Sequence, residues 1–142
     1  MELIIRRLTQ AVPMPRYAHD SDAGLDICSA EPGHLAPMER RLFRTGIAIQ
    51  LPPLVEGQIR SRSGLALKHG VIVLNAPGTI DAGYRGEIGV ILANLSTKEF
   101  VVKSGMRIAQ LVLANHLRPI VVEAAVLDET DRGIEGFGSS GI

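Results

Sequence analysis

Asp81 stands in a stretch dense with functional groups, Asn75-Ala76-Pro77-Gly78-Thr79-Ile80-Asp81-Ala82-Gly83-Tyr84-Arg85-Gly86-Glu87, between two apolar runs. A carboxylate so placed is a candidate general base. A bent hairpin of this kind can turn backbone donors and acceptors toward the edge of a nucleobase, with Tyr84 as a wall. The bland reading is a hairpin with a capping aspartate; the unbroken run of such residues weighs against it.

Four further clusters carry chemistry. In Arg60-Ser61-Arg62-Ser63-Gly64 charge, hydroxyls and the start of a short helix coincide. Helix N-termini bind anions through free N–H groups and Arg adds bidentate contacts to oxygen, although capping alone explains the segment equally well. Asp26, in Asp22-Ala23-Gly24-Leu25-Asp26, could hold a hydrated cation, since Mg²⁺ keeps several waters and takes few carboxylates; an ordinary turn aspartate is the plainer reading. Arg107 and Gln110 interrupt the apolar strand in Gly105-Met106-Arg107-Ile108-Ala109-Gln110-Leu111, and a buried Gln needs partners, which a structural hydrogen bond would satisfy. The last cluster is Arg132-Gly133-x-x-Gly136-Phe137-Gly138-Ser139-Ser140-Gly141. Glycines with serines can present successive N–H groups to phosphate, and a ring on flexible chain can stack on a base. The segment reads as a lid that orders on ligand rather than as a frayed end.

The elements that must position these residues are mostly strands. Gly46 to Leu51, Val71 to Leu74, Ile88 to Leu92, Phe100 to Val102, Ile108 to Leu113 and Ile120 to Val126 are short runs rich in Val and Ile, most of them bounded by turn formers. The segment after Asp22 is a turn leading into another. Such spacing predicts an all-β sandwich or barrel. The one helix candidate is Ser63 to Gly70, with Ser61 or Ser63 as its cap and Gly70 in the left-handed end position. His69 then sits favourably at the negative end of that helix, which explains it without a catalytic role.

The chain has 142 residues, enough for one domain. It divides into a β domain, 1–127, carrying the first four clusters, and a glycine-rich flexible lid, 128–142. Aromatics are 4% and Trp is absent, so Val, Ile, Leu and Ala must build the core. Zero formal net charge gives no basic surface for nucleic acid or membrane, while a local Arg cluster can still hold an anionic small ligand. Cys28 is the single cysteine; no disulfide framework follows, a reducing compartment fits best, and the residue reads as a small buried hydrophobe. The four histidines show no zinc spacing. With no signal-peptide pattern and no run approaching the ~20 apolar residues of a membrane span, the cytoplasm is the default.

Taken together, Ala-Gly-Leu-Asp, Arg-Ser-Gly-Leu-Ala, Gly-Thr-Ile-Asp-Ala-Gly-Tyr-Arg-Gly, Arg-Ile-Ala-Gln-Leu and Arg-Gly-x-x-Gly-Phe-Gly-Ser-Ser-Gly resemble, in order and separation, the five motifs of the trimeric dUTPase family. The resemblance runs from about Asp22 to Gly141. It implies a jelly-roll-like fold, a homotrimer with active sites drawn from three chains, and Mg²⁺-dependent hydrolysis of dUTP to dUMP and pyrophosphate, which limits uracil in DNA and supplies dUMP for thymidylate synthesis. By that resemblance Asn75 and the backbone of Gly78, Thr79 and Ile80 recognise uracil, Tyr84 packs under the deoxyribose, and Asp81 deprotonates the attacking water. Arg62, Ser63 and Gly64 hold phosphates, Gln110 supports the phosphate chain, and Asp26 contacts Mg²⁺ through water. Arg132 grips the terminal phosphate, Phe137 stacks on uracil, and Gly138, Ser139 and Ser140 close over the triphosphate. Two positions depart from the commonest pattern: Ser140, where Thr is frequent, and Met106, where Asp is frequent.

Two rival readings follow from the same residues. By resemblance to the dCTP deaminases of this fold, a deaminase would need a catalytic Glu a few residues after the Asp-Ala-Gly-aromatic turn, where this chain has Ile91. A nucleotide-sensing module without turnover has no use for a positioned base such as Asp81.

Overall fold

Alternation of apolar and polar side chains produces strands, and eleven short ones with a single helix make up the regular structure of the described residues. The computed structural model describes residues 1–134 and 136. In chain order the elements are β1 (Ile4–Arg7), β2 (Gly24–Cys28), β3 (Gly33–Leu35), β4 (Arg40–Arg44), β5 (Ile47–Gln50), β6 (Val55–Arg60), α1 (Ser63–His69), β7 (Val71–Val73), β8 (Gly78–Ile80), β9 (Gly89–Asn94), β10 (Phe100–Val102) and β11 (Arg107–Asn115).

All pairings are antiparallel. A four-stranded sheet runs β2-β11-β6-β8, a three-stranded one β4-β9-β7, and two ribbons pair β1 with β5 and β3 with β10. The result is the jelly-roll-like all-β architecture expected, with one short helix. Between the sheets lies a core of Ile27, Leu35, Phe43, Ile47, Ile88, Leu92, Ile108 and Leu111, each wholly buried. Each such side chain contributes about 1.5–3 kcal/mol through burial. Asn94, the buried polar residue of this region, is fully satisfied. Its Nδ2 donates to the Leu35 and Lys98 carbonyls at 2.9 and 2.8 Å, and its Oδ1 accepts from the Ser96 N–H and hydroxyl. It thereby ties β9 to β3 and to the turn that follows.

Strand β6 shows how sequence sets faces. Val55, Gly57 and Ile59 point inward while Glu56, Gln58 and Arg60 point outward. Arg60 donates to Gln58, which donates to Glu56, so the outer row is a connected polar ladder. The period-two signal is present in this segment but a Gly and three polar residues mask it, and β6 is absent from the sequence-based expectation. So are β3 and β4; in β4 only Phe43 is buried, among three arginines and Leu42.

Two expectations are corrected. Ile120 to Val126 forms no strand: it has no hydrogen-bonding neighbour strand, and Ile120 and Val121 are 90% and 94% exposed. A β-branched run favours extended backbone, yet a strand also requires a partner edge. The helix is not capped by serine either. Arg62 occupies the cap position without a side-chain hydrogen bond, because the Ser61 hydroxyl instead accepts the Val73 N–H at 2.8 Å and Ser63 is already helical. Gly70 does end the helix in the left-handed conformation, φ 66°. Among the described residues no helix is long and apolar enough to cross a membrane.

Candidate active site

Two pockets collect nearly all the described residues singled out for chemistry. The hairpin between β7 and β9 builds the first. Its volume is about 350 Å³, and Asn75, Gly78, Thr79, Ile80, Asp81 and Tyr84 line it with Leu42, Ile59 and Ile91 at its apolar side. Strand β8 pairs with β6 in the register Gly78↔Ile59 and Ile80↔Gly57, which fixes the hairpin against the four-stranded sheet. A Cβ on Gly78 would lie 3.2 Å from the Asn75 Nδ2, so glycine lets that carboxamide fold over the strand. The Asp81 carbonyl accepts the Tyr84 N–H at 3.0 Å. Its carboxylate is exposed at the pocket rim and is bonded by none of the described side chains, which leaves it open to a water molecule.

Tyr84 is fixed by its own hydroxyl, which donates to the Glu87 carbonyl at 2.9 Å. Arg85 closes the tip by donating to the Ala82 and Tyr84 carbonyls at 2.6 and 2.8 Å. Glu87 in turn accepts two hydrogen bonds from Arg44, at 2.9 and 2.7 Å, and one from the Gly46 N–H at 2.8 Å. Burial of its carboxyl opposes ionisation. The hydrogen bonds from Arg44 and Gly46, together with the Arg44 charge, outweigh it and hold the group below the usual carboxylate range.

The second pocket, about 510 Å³, lies where β2, β11 and the start of α1 meet, and holds Asp26, Arg62, Ser63, Gly64, Arg107 and Gln110. Pairing of Gln110 with Asp26 on one side and Arg60 on the other puts all three on one sheet face. Gln110 Nε2 donates to the Ser61 carbonyl at 2.9 Å. Asp26 is half-buried and shared between Arg107, at 2.9 Å, and the Arg62 Nε, at 3.3 Å. Arg62 also donates to the Arg107 carbonyl at 3.0 Å. Three guanidinium groups, of Arg60, Arg62 and Arg107, against the carboxylates of Asp22 and Asp26 leave this pocket positive, as an oligophosphate requires.

Ile59 lines the first pocket and its neighbour Arg60 the second. Consecutive strand residues point to opposite faces, and the two pockets have no lining residue in common. Arg132 lies in a turn at 131–134 and lines neither pocket. Phe137, Gly138, Ser139 and Ser140 lie outside the described residues.

Several contributors escaped the sequence reading. In the sequence Arg107 reads only as an interruption of an apolar strand; its ion pair with a residue 81 positions earlier has no local signal. The roles of Glu87, Ser61 and Gly24 are likewise tertiary. Burial, and next the Asp26 carboxylate, push the Cys28 thiol up against the opposing pull of Arg107 and Arg62, so the protonated, poorly nucleophilic form prevails. The His69 ring packs on Phe100 at 5.2 Å, away from both pockets. Met106 is half-buried, and its carbonyl accepts the Ser29 N–H at 2.9 Å.

Comparison with known proteins identifies the family and the fold. The dUTPase family model matches residues 10–141. The chain is 55% identical over 142 residues to the deoxyuridine 5'-triphosphate nucleotidohydrolase of Clostridium novyi, covering the whole of both chains. It is 52% identical over 141 residues to that of Clostridium kluyveri, covering 99% of each. Among solved structures, a dUTPase of Staphylococcus bacteriophage 80alpha determined with dUpNHpp superposes with a TM-score of 0.92 at 29% identity over 99% of both chains. The dUTPase of phage phi11 of S. aureus, described for its coordination of a structural Mg(II) ion, gives 0.82 at 27% identity, covering 89% of this chain and 98% of that one. The chain belongs to the dUTPase family.

Proposed function

We propose that the chain hydrolyses dUTP to dUMP and pyrophosphate at sites shared between the subunits of a homotrimer. The observation that carries this reading is the division of labour between the pockets: an open carboxylate beside a base-reading hairpin in one, paired arginines with Gln110 in the other, on opposite faces of β6. A nucleotide spans both only if a second copy brings its arginine pocket to the first copy's hairpin. The stretch after β11 supports assembly. Leu117, Ile120 and Val121 are at least 90% exposed, with Val122, Val126 and Leu127 close behind, and apolar surface of this extent marks an interface.

In this reading Asn75 and the backbone of Gly78, Thr79 and Ile80 meet the uracil edge. Cytosine inverts the donor and acceptor pattern and would leave these groups unpaired, at a cost of about 1–3 kcal/mol for each. Tyr84 lies under the deoxyribose, where a 2′-hydroxyl would clash. Arg62, with Ser63 and Gly64 at the first turn of α1, holds phosphate oxygens of the neighbouring copy's nucleotide, and Gln110 supports them. Asp81 accepts a proton from a water aligned with the α-phosphorus. The new P–O bond forms as the bond to the bridging oxygen of the β-phosphate breaks, and pyrophosphate leaves. Positioning and charge stabilisation dominate such transfers. Arg132 then grips the terminal phosphate, while Phe137 stacks on uracil and Gly138, Ser139 and Ser140 close over the chain.

The donor set suits a water-mediated metal contact. Asp26 is a single carboxylate with both oxygens already held by arginines, and no three His, Cys, Asp or Glu side chains cluster among the described residues. Mg²⁺ tolerates such a site because it retains its waters and takes few carboxylates. Asp26 would hold it, and the ion would supply charge neutralisation along the triphosphate. Ile91 lines the nucleoside pocket without an ionisable group, which disfavours deamination. A cytoplasmic setting accords with the free thiol of Cys28.

The test is product analysis with dUTP, dTTP, dCTP and UTP, with and without magnesium, alongside the mass of the assembly. Equal dUMP and pyrophosphate from dUTP, and a mass of three chains, are expected. Ammonia from dCTP, or no turnover of dUTP, overturns the reading.

A further inference from the structure

We propose that Glu87 is a positioning residue for sugar selectivity, holding Tyr84 through its backbone while its side chain anchors that backbone to Arg44 on β4 and to Gly46 in the turn before β5. The inference rests on the reading of Tyr84 as the wall beneath the deoxyribose.

A tyrosine at the tip of an exposed hairpin has no intrinsic reason to keep one orientation. Tyr84 is 45% exposed, so packing alone does not confine it. Its hydroxyl donates to the Glu87 carbonyl at 2.9 Å, and the ring lies back across Gly86, where a Cβ would approach the ring Cζ to 2.6 Å. Any side chain at that position would lift the ring. The anchor therefore has to be the carbonyl of residue 87, and what fixes it is the Glu87 side chain. Glu87 is only 19% exposed, whereas its partner Arg44 is 67% exposed. The carboxylate takes both Nε and Nη2 of Arg44 on one oxygen and the Gly46 N–H on the other. Next to it the Ile88 carbonyl accepts the buried Thr45 hydroxyl at 2.6 Å, and the Ile88 N–H reaches the Ile47 carbonyl at 2.9 Å. The hairpin is thus pinned to the β4–β5 corner at two successive residues, and the ring is carried by the first pin.

A wall held at one distance from the sugar discriminates against an added 2′-hydroxyl; a wall free to swing yields to it. Loss of the anchor should leave the Asp81 chemistry in place and reduce the preference for dUTP over UTP.

The experiment measures kcat and KM for dUTP and UTP in wild type, Glu87→Gln, Tyr84→Phe, their double variant, and Tyr84→Ala, with assembly mass as a control. Glu87→Gln is expected to lower the dUTP/UTP ratio of kcat/KM about 3- to 10-fold, the scale of one lost hydrogen bond, chiefly through the two KM values. Tyr84→Phe should match it and the double variant should fall no further, because the two substitutions interrupt successive links of one chain, ring hydroxyl to Glu87 carbonyl and Glu87 carboxylate to Arg44 and Gly46. Arg44→Ala reaches the same anchor from the exposed side and serves if Glu87→Gln does not assemble; its ratio should fall in the same direction. An unchanged ratio in the assembled Glu87→Gln or Arg44→Ala variant, with Tyr84→Ala lowering it, overturns the proposal and leaves Tyr84 as the wall. An unchanged ratio in Tyr84→Ala overturns the wall itself.

Discussion

Gln110 on β11 donates from Nε2 to the Ser61 carbonyl at 2.9 Å, closing the arginine pocket against the start of the helix. The space for that carboxamide exists because residue 24 is glycine. A Cβ there would collide with the Gln110 Oε1. Gly24→Ala should displace the side chain, break the bond to Ser61 and cost about 0.5–1.5 kcal/mol of stability, the worth of that hydrogen bond, with a raised KM for dUTP. Thermal denaturation and steady-state kinetics check this; unchanged values would mean the carboxamide has another resting place.

The Glu87 carboxyl gives a pH signature. Its folded pKa is depressed, so its contribution to stability is complete above its ordinary value of 4.5 and is lost as pH falls through the lower folded value. Wild type should therefore exceed Glu87→Gln in melting temperature near neutral pH, and the gap should close as the pH is lowered below 4.5. A gap that persists unchanged at the acid end would assign the effect of the substitution to packing rather than to the charged carboxylate.

The proposed sharing of sites between subunits predicts complementation. Asp81→Asn and Arg62→Ala should each be nearly inactive alone. Co-expressed in equal amounts and assembled at random, they should recover about a quarter of wild-type activity, since a site then draws an intact Asp81 from one copy and an intact Arg62 from another. No recovery in mixed trimers would place both residues' work within one chain.

Much of this was legible beforehand, and the failures have physical causes. The strand at Gly46 to Leu51 announced itself because its apolar run ends in Pro52-Pro53. Strand β4 did not, since its arginines face out and Phe43 alone carries its core face. Ile120 to Val126 has strand composition but pairs with none of the described strands. The motif residues were readable as types, and the hairpin and arginine pockets gather the described ones except Arg132. The supports behind them were not: Arg107 meets Asp26, and Arg44 meets Glu87, across strand pairings that no local pattern encodes.

The most direct test of the account is Asp81→Asn. The substitution keeps size and removes the proposed base, so binding of a non-hydrolysable dUTP analogue measured by calorimetry should stay near the wild-type value. Turnover of dUTP should fall by about 10²–10⁴-fold, the usual worth of general-base help. Near-normal kcat in that variant would contradict the account.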